Sequence, residues 1–263
     1  MIDKILCEEI QKASKENNVA VLLSGGVDSI SVALAAHRVG KKVTGYTFHL
    51  KDQLSYDAHK AQKVCEIMNW SCQVVEVPID NVSNDFIRLR QQYDCLKKTH
   101  YECTFPFLYV YPKIEELEVL SGIAADGHYG VSKKACLNYK EPKEKFDLFR
   151  EDYFKNPNPA GFIQQKILCE RYNKIFVAPY LEQSVKDFFR QYDWYQLNKP
   201  HQKHHVRNAF KEFERFGKIK PHINLQLGSN IDKLFESVII PDKTINFRDR
   251  KRIMDICRDW RSR

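Results

Sequence analysis

The chain reads as an α/β protein, a doubly wound parallel sheet followed by a mainly helical C-terminal half. Three observations predict this. A short, continuously apolar run, "VAVLL" (19–23), is the pattern of a strand buried on both faces, and a helix follows it. Further strand and helix patterns then alternate as far as "LEVLSGIAADGHYG" (117–130). From about Phe146 onward aromatic and charged residues dominate, and helical periodicity replaces the strand signals.

In chain order, "MIDKILCEEIQKASKENN" carries Ile2, Ile5, Leu6 and Ile10 on one helical face, and so reads as an amphipathic helix rather than a leader peptide. After "VAVLL" comes the turn Ser24-Gly25-Gly26-Val27-Asp28-Ser29. The helix "ISVALAAHRVG" then places Ile30, Ala33, Leu34 and Val39 in register and stops at Gly40. "KKVTGYTFHL" is a second strand, "SYDAHKAQKVCEIMNW" a helix, and "CQVVEVPID" a third strand closed by Pro78 and Asp80. A longer, mainly helical stretch leads to the apolar run at 117–121. In the second half "PYLEQSVKDFFRQYDWY" and "KHHVRNAFKEFERF" are helical, and the proline-rich "KNPNPAG" is a loop. The expected division is 1–140 for the sheet domain and 141–263 for a helical region packed on the carboxyl edge of the sheet.

Composition narrows the class. At 43% hydrophobic and 29% charged over 263 residues, the chain has the make-up of a globular protein with ample core. No apolar run approaches the roughly 20 residues of a membrane span. Eight cysteines without a C-x-x-C pair indicate neither a zinc ribbon nor a disulfide framework, so free thiols and a cytoplasmic setting are expected. The net charge of +8 suits a solvated basic surface that attracts small anions, and it suits nucleic acid less directly. The tail "FRDRKRIMDICRDWRSR" gathers seven basic residues, from Arg248 to Arg263. Ile253, Ile256, Cys257 and Trp260 recur in it at helical spacing, so the tail is expected first to dock as an amphipathic helix.

The turn after the first strand carries the chemistry. Paired glycines let the backbone approach a ligand closely, and the following helix adds the positive end of its dipole, so the turn suits an anion. Ser24 and Ser29 add hydroxyl donors. Asp28 would repel a bare phosphate, so a bridging cation is expected, and magnesium on phosphate oxygens meets that need. Neither the Walker A spacing nor G-x-G-x-x-G is present.

"SGGVDS" resembles the pyrophosphate-binding loop (PP-loop) of the N-type ATP pyrophosphatases, whose signature is S-G-G-x-D-S. The resemblance implies an adenine nucleotide alpha hydrolase-like (HUP-type) sheet, ATP cleavage between the α and β phosphates, and an adenylylated substrate. Two further stretches are similar to the synthetase domain of asparagine synthetase. "LSGIAADGHYG" resembles its G-x-x-x-D-E element through Gly122 and Asp126. "KHHVRNAF" resembles its K-x-x-L-R-x-A-F segment through Lys203, Arg207, Ala209 and Phe210. "APYLEQSV" is similar to the family's P-F-L-D segment through Pro179, Tyr180 and Leu181, with Glu182 in place of the aspartate.

The resemblance implies roles residue by residue. Leu23 to Ser29, with Gly122 and Arg207, would bind the ATP phosphates. Thr47, Phe48 and Leu50 would lie near the adenine. Asp28 and Asp126 would hold Mg²⁺, and Lys203 would neutralise charge on the α-phosphate, with Lys203 and Asp126 as the catalytic pair. The expected activity is that of an AMP-forming C–N ligase acting on a small-molecule carboxylate and an amine or ammonia.

Besides Glu182, this sequence departs from the pattern in two places. The family's glutamate after the magnesium aspartate is Gly127 here, and its arginine two residues before P-F-L-D is Val177. Residue 2 is isoleucine rather than a nucleophilic cysteine, and the loop begins after 23 residues, so no glutaminase domain in cis is expected. Ammonia would be free or come from a separate amidotransferase subunit. Two other functions share the loop. One is a thiolating or lysidine-type enzyme acting on nucleic acid or nucleobase, for which Cys95 and Cys103 are candidate sulfur carriers. The other is a nucleotide-binding module without catalysis. His201, His204 and His205 could share a metal, although charged or stacking rings near phosphate fit the spacing better.

Overall fold

The structure, a computed structural model, describes residues 1–53, 55–217 and 225–239. The basic tail read as a docked helix lies outside the described residues.

The first half follows the sequence closely. Helix α1 (Ile2–Ala13) precedes β1 (Asn18–Leu22), α2 (Val27–Arg38), β2 (Lys42–Leu50), α3 (Tyr56–Met68) and β3 (Ser71–Val77). Three helices, α4 (Val82–Gln92), α5 (Lys98–Thr104) and α6 (Phe107–Val110), lead to β4 (Glu118–Leu120). Then come α7 (Ala125–Tyr129), α8 (Lys133–Asn138), α9 (Lys143–Lys155) and α10 (Phe162–Arg171). A strand that the sequence reading did not anticipate, β5 (Ile175–Val177), is followed by α11 (Gln183–Arg190), α12 (Trp194–Asn198) and α13 (His204–Ala209). Helices α14 (Leu225–Gly228) and α15 (Ile231–Ile239) close the described chain.

All five strands are parallel, in the order β3-β2-β1-β4-β5, so the sheet is doubly wound as expected. Strand β1 carries both cores. Its pleat sends Val19 and Val21 into one apolar cluster and Ala20 and Leu22 into the other. The first cluster gathers α1, α2 and the Tyr180–Phe216 region. The second gathers α4, α5, α6 and part of α15. With side chains buried on both faces, β1 shows no polar alternation, and that is why it reads as a plain apolar run.

Winding reverses between β1 and β4. From β1 the chain builds outward through β2 and β3, then crosses back to place β4 on the other side of β1. In such sheets the crevice beyond the carboxyl ends at this switch point receives ligand. The turns that leave β1 and β4 carry Asp28 and Asp126.

Two polar contacts fix the surroundings of the sheet. The carboxylate of Glu118, buried at the start of β4, accepts bonds from Ser14 Oγ and, at 2.7 Å, from the Lys15 amide. His128 Nε2–H donates to the Tyr180 carbonyl at 2.8 Å, which assigns its tautomer, and the ring stacks on Phe189 at 4.6 Å.

His100, buried on α5, supplies a stability prediction. The Leu96 amide donates to its Nδ1 at 3.4 Å, an arrangement open only to the neutral ring. Burial, reinforced by the nearby Lys97, pushes its pKa down to about 4. Because the folded value lies below the ordinary value of about 6.5, the contribution is intact above that pH and is lost as pH falls from 6.5 towards 4. Urea unfolding at pH 7 and pH 5 is expected to show His100→Phe losing about 1–2 kcal/mol less stability than the parent on acidification.

Candidate active site

The loop from β1 to α2 is shaped by its own hydroxyls. Ser24 Oγ lies 3.2 Å from Ser29 Oγ and accepts from the Gly26 amide at 3.3 Å, while Ser29 Oγ accepts from the Ser24 amide at 3.2 Å. These bonds curl the backbone so that the opening amides of α2, which have no intrahelical acceptor, point away from the sheet. Gly25 has φ +67°, and a Cβ there would stand 2.6 Å from Lys60 Cβ. Gly122, leaving β4, has the same need: its Cβ would lie 2.6 Å from the carbonyl carbon of Asp28. The two turns therefore pack backbone to backbone.

Lys203 completes the site from far along the chain. It takes the left-handed conformation (φ +60°, ψ +30°) at the N-terminus of α13, and only 4% of it is exposed. Its Nζ donates to Asp28 Oδ2 and to Asp126 Oδ1, both at 2.6 Å. Burial alone would lower the ammonium's pKa, but the two carboxylates reverse this and hold it above the usual lysine range. Burial, with Asp126 adding to it and Lys203 opposing, raises the carboxyl of Asp28.

A cavity of about 260 Å³ opens beside this triad. Leu23, Ser24, Asp28, Ser29, Gly122 and Asp126 line it, as do Thr47 and Phe48. Gly25, Gly26, Val27, Lys203 and Arg207 are not among its lining residues. Leu50, expected near the adenine, does not line the cavity. It is 1% exposed and packs in the second core with Val77 and Phe86. The residues that sequence reasoning did not name include Asp57, Phe107, Tyr153 and Gln165.

The histidines of 201–205 form no metal cluster among the described residues. His204 and His205 lie ring to ring at 4.4 Å, and His205 packs on Tyr192 at 4.4 Å. Burial and His204 lower the pKa of His205, so that ring is neutral rather than a phosphate-seeking cation. Cys103 lines the cavity and Cys95 is buried. Burial pushes both thiols up to about 12, so neither is the thiolate that sulfur transfer needs. Among the described residues no cysteine forms a disulfide.

The asparagine synthase family model matches residues 9–214, which include the β1–α2 loop, the β4 turn and Lys203. The chain belongs to the asparagine synthase family. This asparagine synthase family member is accordingly an ATP-dependent enzyme of the adenylating, synthetase type. No curated protein matches the sequence. Among solved structures it is similar to NMN synthetase from Francisella tularensis, at 16% identity and TM-score 0.36, over 85% of this chain and 95% of that one. It is also similar to a predicted subunit of tRNA methyltransferase from Methanocaldococcus jannaschii, at 15% identity and TM-score 0.36, over 67% and 76%.

In this member of the family, the residue after Asp126 is glycine for a steric reason. A Cβ at Gly127 would stand 2.3 Å from Cδ1 and from Cε1 of Tyr153. The ring of Tyr153 fills the space a side chain at 127 would occupy and presents itself to the cavity beside Asp126. Burial, with Asp126 and Asp28 adding to it, raises the pKa of the Tyr153 phenol, which stays protonated at neutral pH. A neutral aromatic wall thus replaces a charged side chain at this edge of the pocket. Among the described residues no helix is long and apolar enough to cross a membrane.

Proposed function

We propose that the chain is an AMP-forming ligase: it transfers the adenylyl group of ATP to a carboxylate or carbonyl oxygen, and an amine or ammonia then displaces AMP. The single observation that carries this reading is the convergence of the loop aspartate, the β4-turn aspartate and the α13 lysine, with Lys203 Nζ 2.6 Å from each carboxylate at the switch point of the sheet.

The loop amides and the N-terminus of α2 bind the triphosphate, and Thr47 and Phe48 flank the adenine side of the cavity. The acceptor oxygen attacks the α-phosphorus and the bond to the β-phosphate oxygen breaks, so that pyrophosphate departs. Lys203 neutralises the negative charge that builds on the α-phosphate in that step. The attacking amine then forms the C–N bond, loses a proton, and AMP leaves with the bond electrons.

The same residues suit magnesium. Asp28 Oδ1 is buried without a hydrogen-bond partner, and the two carboxylates already clasp a cation in the form of the Lys203 ammonium. Asp28 and Asp126 would hold the ion, which when bound neutralises charge on the pyrophosphate. The neutral Tyr153 beside Gly127 favours an acceptor other than one that relies on a glutamate at that place.

The test is the identity of the nucleotide product. Purified protein is incubated with Mg²⁺ and α-labelled ATP, together with pooled amino acids, ammonia or total RNA, and with Asp28→Asn as control. Labelled AMP that forms with one pool and vanishes in the control is the expected result. Labelled ADP would overturn the reading, and ATP binding without turnover in any pool would favour the silent module.

A further inference from the structure

Helix α3 carries a buried cation that the adenylylation scheme does not use. Ser55 caps the helix, accepting from the Ala58 amide at 3.2 Å. That start places Asp57 and Lys60 three residues apart on the inward face, each only 8% exposed. A lysine this buried ordinarily has a close anionic partner. Here the anion is Asp57 of the same helix, in a long ion pair with Lys60 Nζ 3.8 Å from Asp57 Oδ1, and the ammonium also sits over the Tyr56 ring at 5.3 Å.

The stem of Lys60 is fixed against the loop. Its Cβ is 2.6 Å and its Cε 3.0 Å from where a Cβ of residue 25 would stand, so the ammonium, one bond beyond Cε, is held beside the Ser24–Gly26 backbone. Gly25 is thus the point at which α3 rests on the loop. Burial lowers the pKa of Lys60, with Asp57 opposing it and Arg207 acting in the same sense as burial. Arg207 is likewise half-buried, and its Nε is buried without a hydrogen-bond partner. The carboxylates on the other side of the loop are already engaged by Lys203. Lys60 therefore stands beside the loop and the positive end of α2, with Arg207 close enough to act on both Lys60 and Asp28.

We propose that Lys60 is a further phosphate-binding residue, reaching over Gly25 to the phosphate groups beyond the α-position, which makes the loop selective for pyrophosphate-bearing ligands. The proposal rests on the reading that the loop holds the ATP phosphates. It assigns to Lys60 the β and γ groups and leaves the α-phosphate to Lys203.

Calorimetric titration of the full chain in the presence of Mg²⁺ with three probes, ATP, inorganic pyrophosphate and AMP, tests this. Lys60→Met keeps the stem against Gly25 and removes the charge. It is expected to weaken pyrophosphate and ATP at least about 10-fold, with AMP unchanged within about twofold, and Lys60→Arg should recover most of the loss. Equal affinities of parent and Lys60→Met for pyrophosphate would overturn the proposal, as would a parallel loss of AMP, which is the result of a merely structural role. Should the methionine variant not fold, acetylation of lysines in the parent protein, mapped by mass spectrometry, decides the matter. Protection of Lys60 by pyrophosphate but not by AMP supports the proposal, and equal labelling in all samples sinks it. A parent protein that binds neither ATP nor pyrophosphate would instead remove the nucleotide reading itself.

Discussion

Lys203→Met is expected to lower the rate of adenylyl transfer at least about 10³-fold while leaving the affinity for ATP within several-fold of the parent. The split follows from where the ammonium sits. In the ligand-free protein it is bound to Asp28 and Asp126, so it gives up two close ion pairs when it turns to the nucleotide, and its net contribution to ground-state binding is small. In the transition state the α-phosphate oxygens carry more charge, and the same ammonium is worth several kcal/mol. Single-turnover release of pyrophosphate and calorimetric titration with ATP measure the two quantities separately. A variant that loses ATP affinity and rate in equal measure would make Lys203 a binding residue rather than a catalytic one.

Gly127→Ala is expected to destabilise the fold by about 1–3 kcal/mol, against the direction of helix propensity. Glycine inside a helix such as α7 normally costs up to about 1 kcal/mol relative to alanine, so an unconstrained site would gain stability from the change. Here the added methyl would stand 2.3 Å from two ring carbons of Tyr153, and either the ring or α7 has to move. At about 2–4 °C per kcal/mol, the melting temperature should fall by roughly 3–10 °C. Tyr153→Leu combined with Gly127→Ala is expected to restore most of the loss, giving a coupling energy above about 1 kcal/mol in a double-mutant cycle. Gly127→Glu, which reinstates the family residue, should fail alone for the same reason. A Gly127→Ala protein that melts at or above the parent temperature would refute the steric account.

How much of this was legible in the sequence depends on what each residue's neighbours are. Strand β1 was readable as a short apolar run and β2 and β3 as stretches rich in β-branched and aromatic residues, and the loop because its glycines and hydroxyls are contiguous. Strand β5 was not. It has three residues, of which Ile175 is 48% exposed, and nothing in "IFV" says that it pairs with Glu118–Leu120. Asp28, Asp126 and Lys203 could be named from their motifs, and the structure brings them together. Leu50 was misjudged because strand register shows which face a residue shares, not where the ligand crevice ends. Tyr153 and Lys60 were invisible for a related reason. Each lies on a helix whose periodicity gives the inward face, while its partner, Gly127 or Gly25, is a glycine that leaves no pattern of its own. The second half also hid its contribution to the sheet, since β5 is embedded in helical sequence.

The lysine clasp joins residues separated by 175 and 77 positions in the chain. During synthesis the two carboxylates emerge well before their counter-ion. At about 5–20 residues per second the earlier one waits on the order of 10–35 s for Lys203 to leave the ribosome. Contacts of such long sequence separation form late, because the entropy of closing the intervening chain comes first. A nascent chain can therefore assemble β1 to β4 and still lack a competent centre, and nucleotide handling is acquired only by molecules that have folded almost to the end.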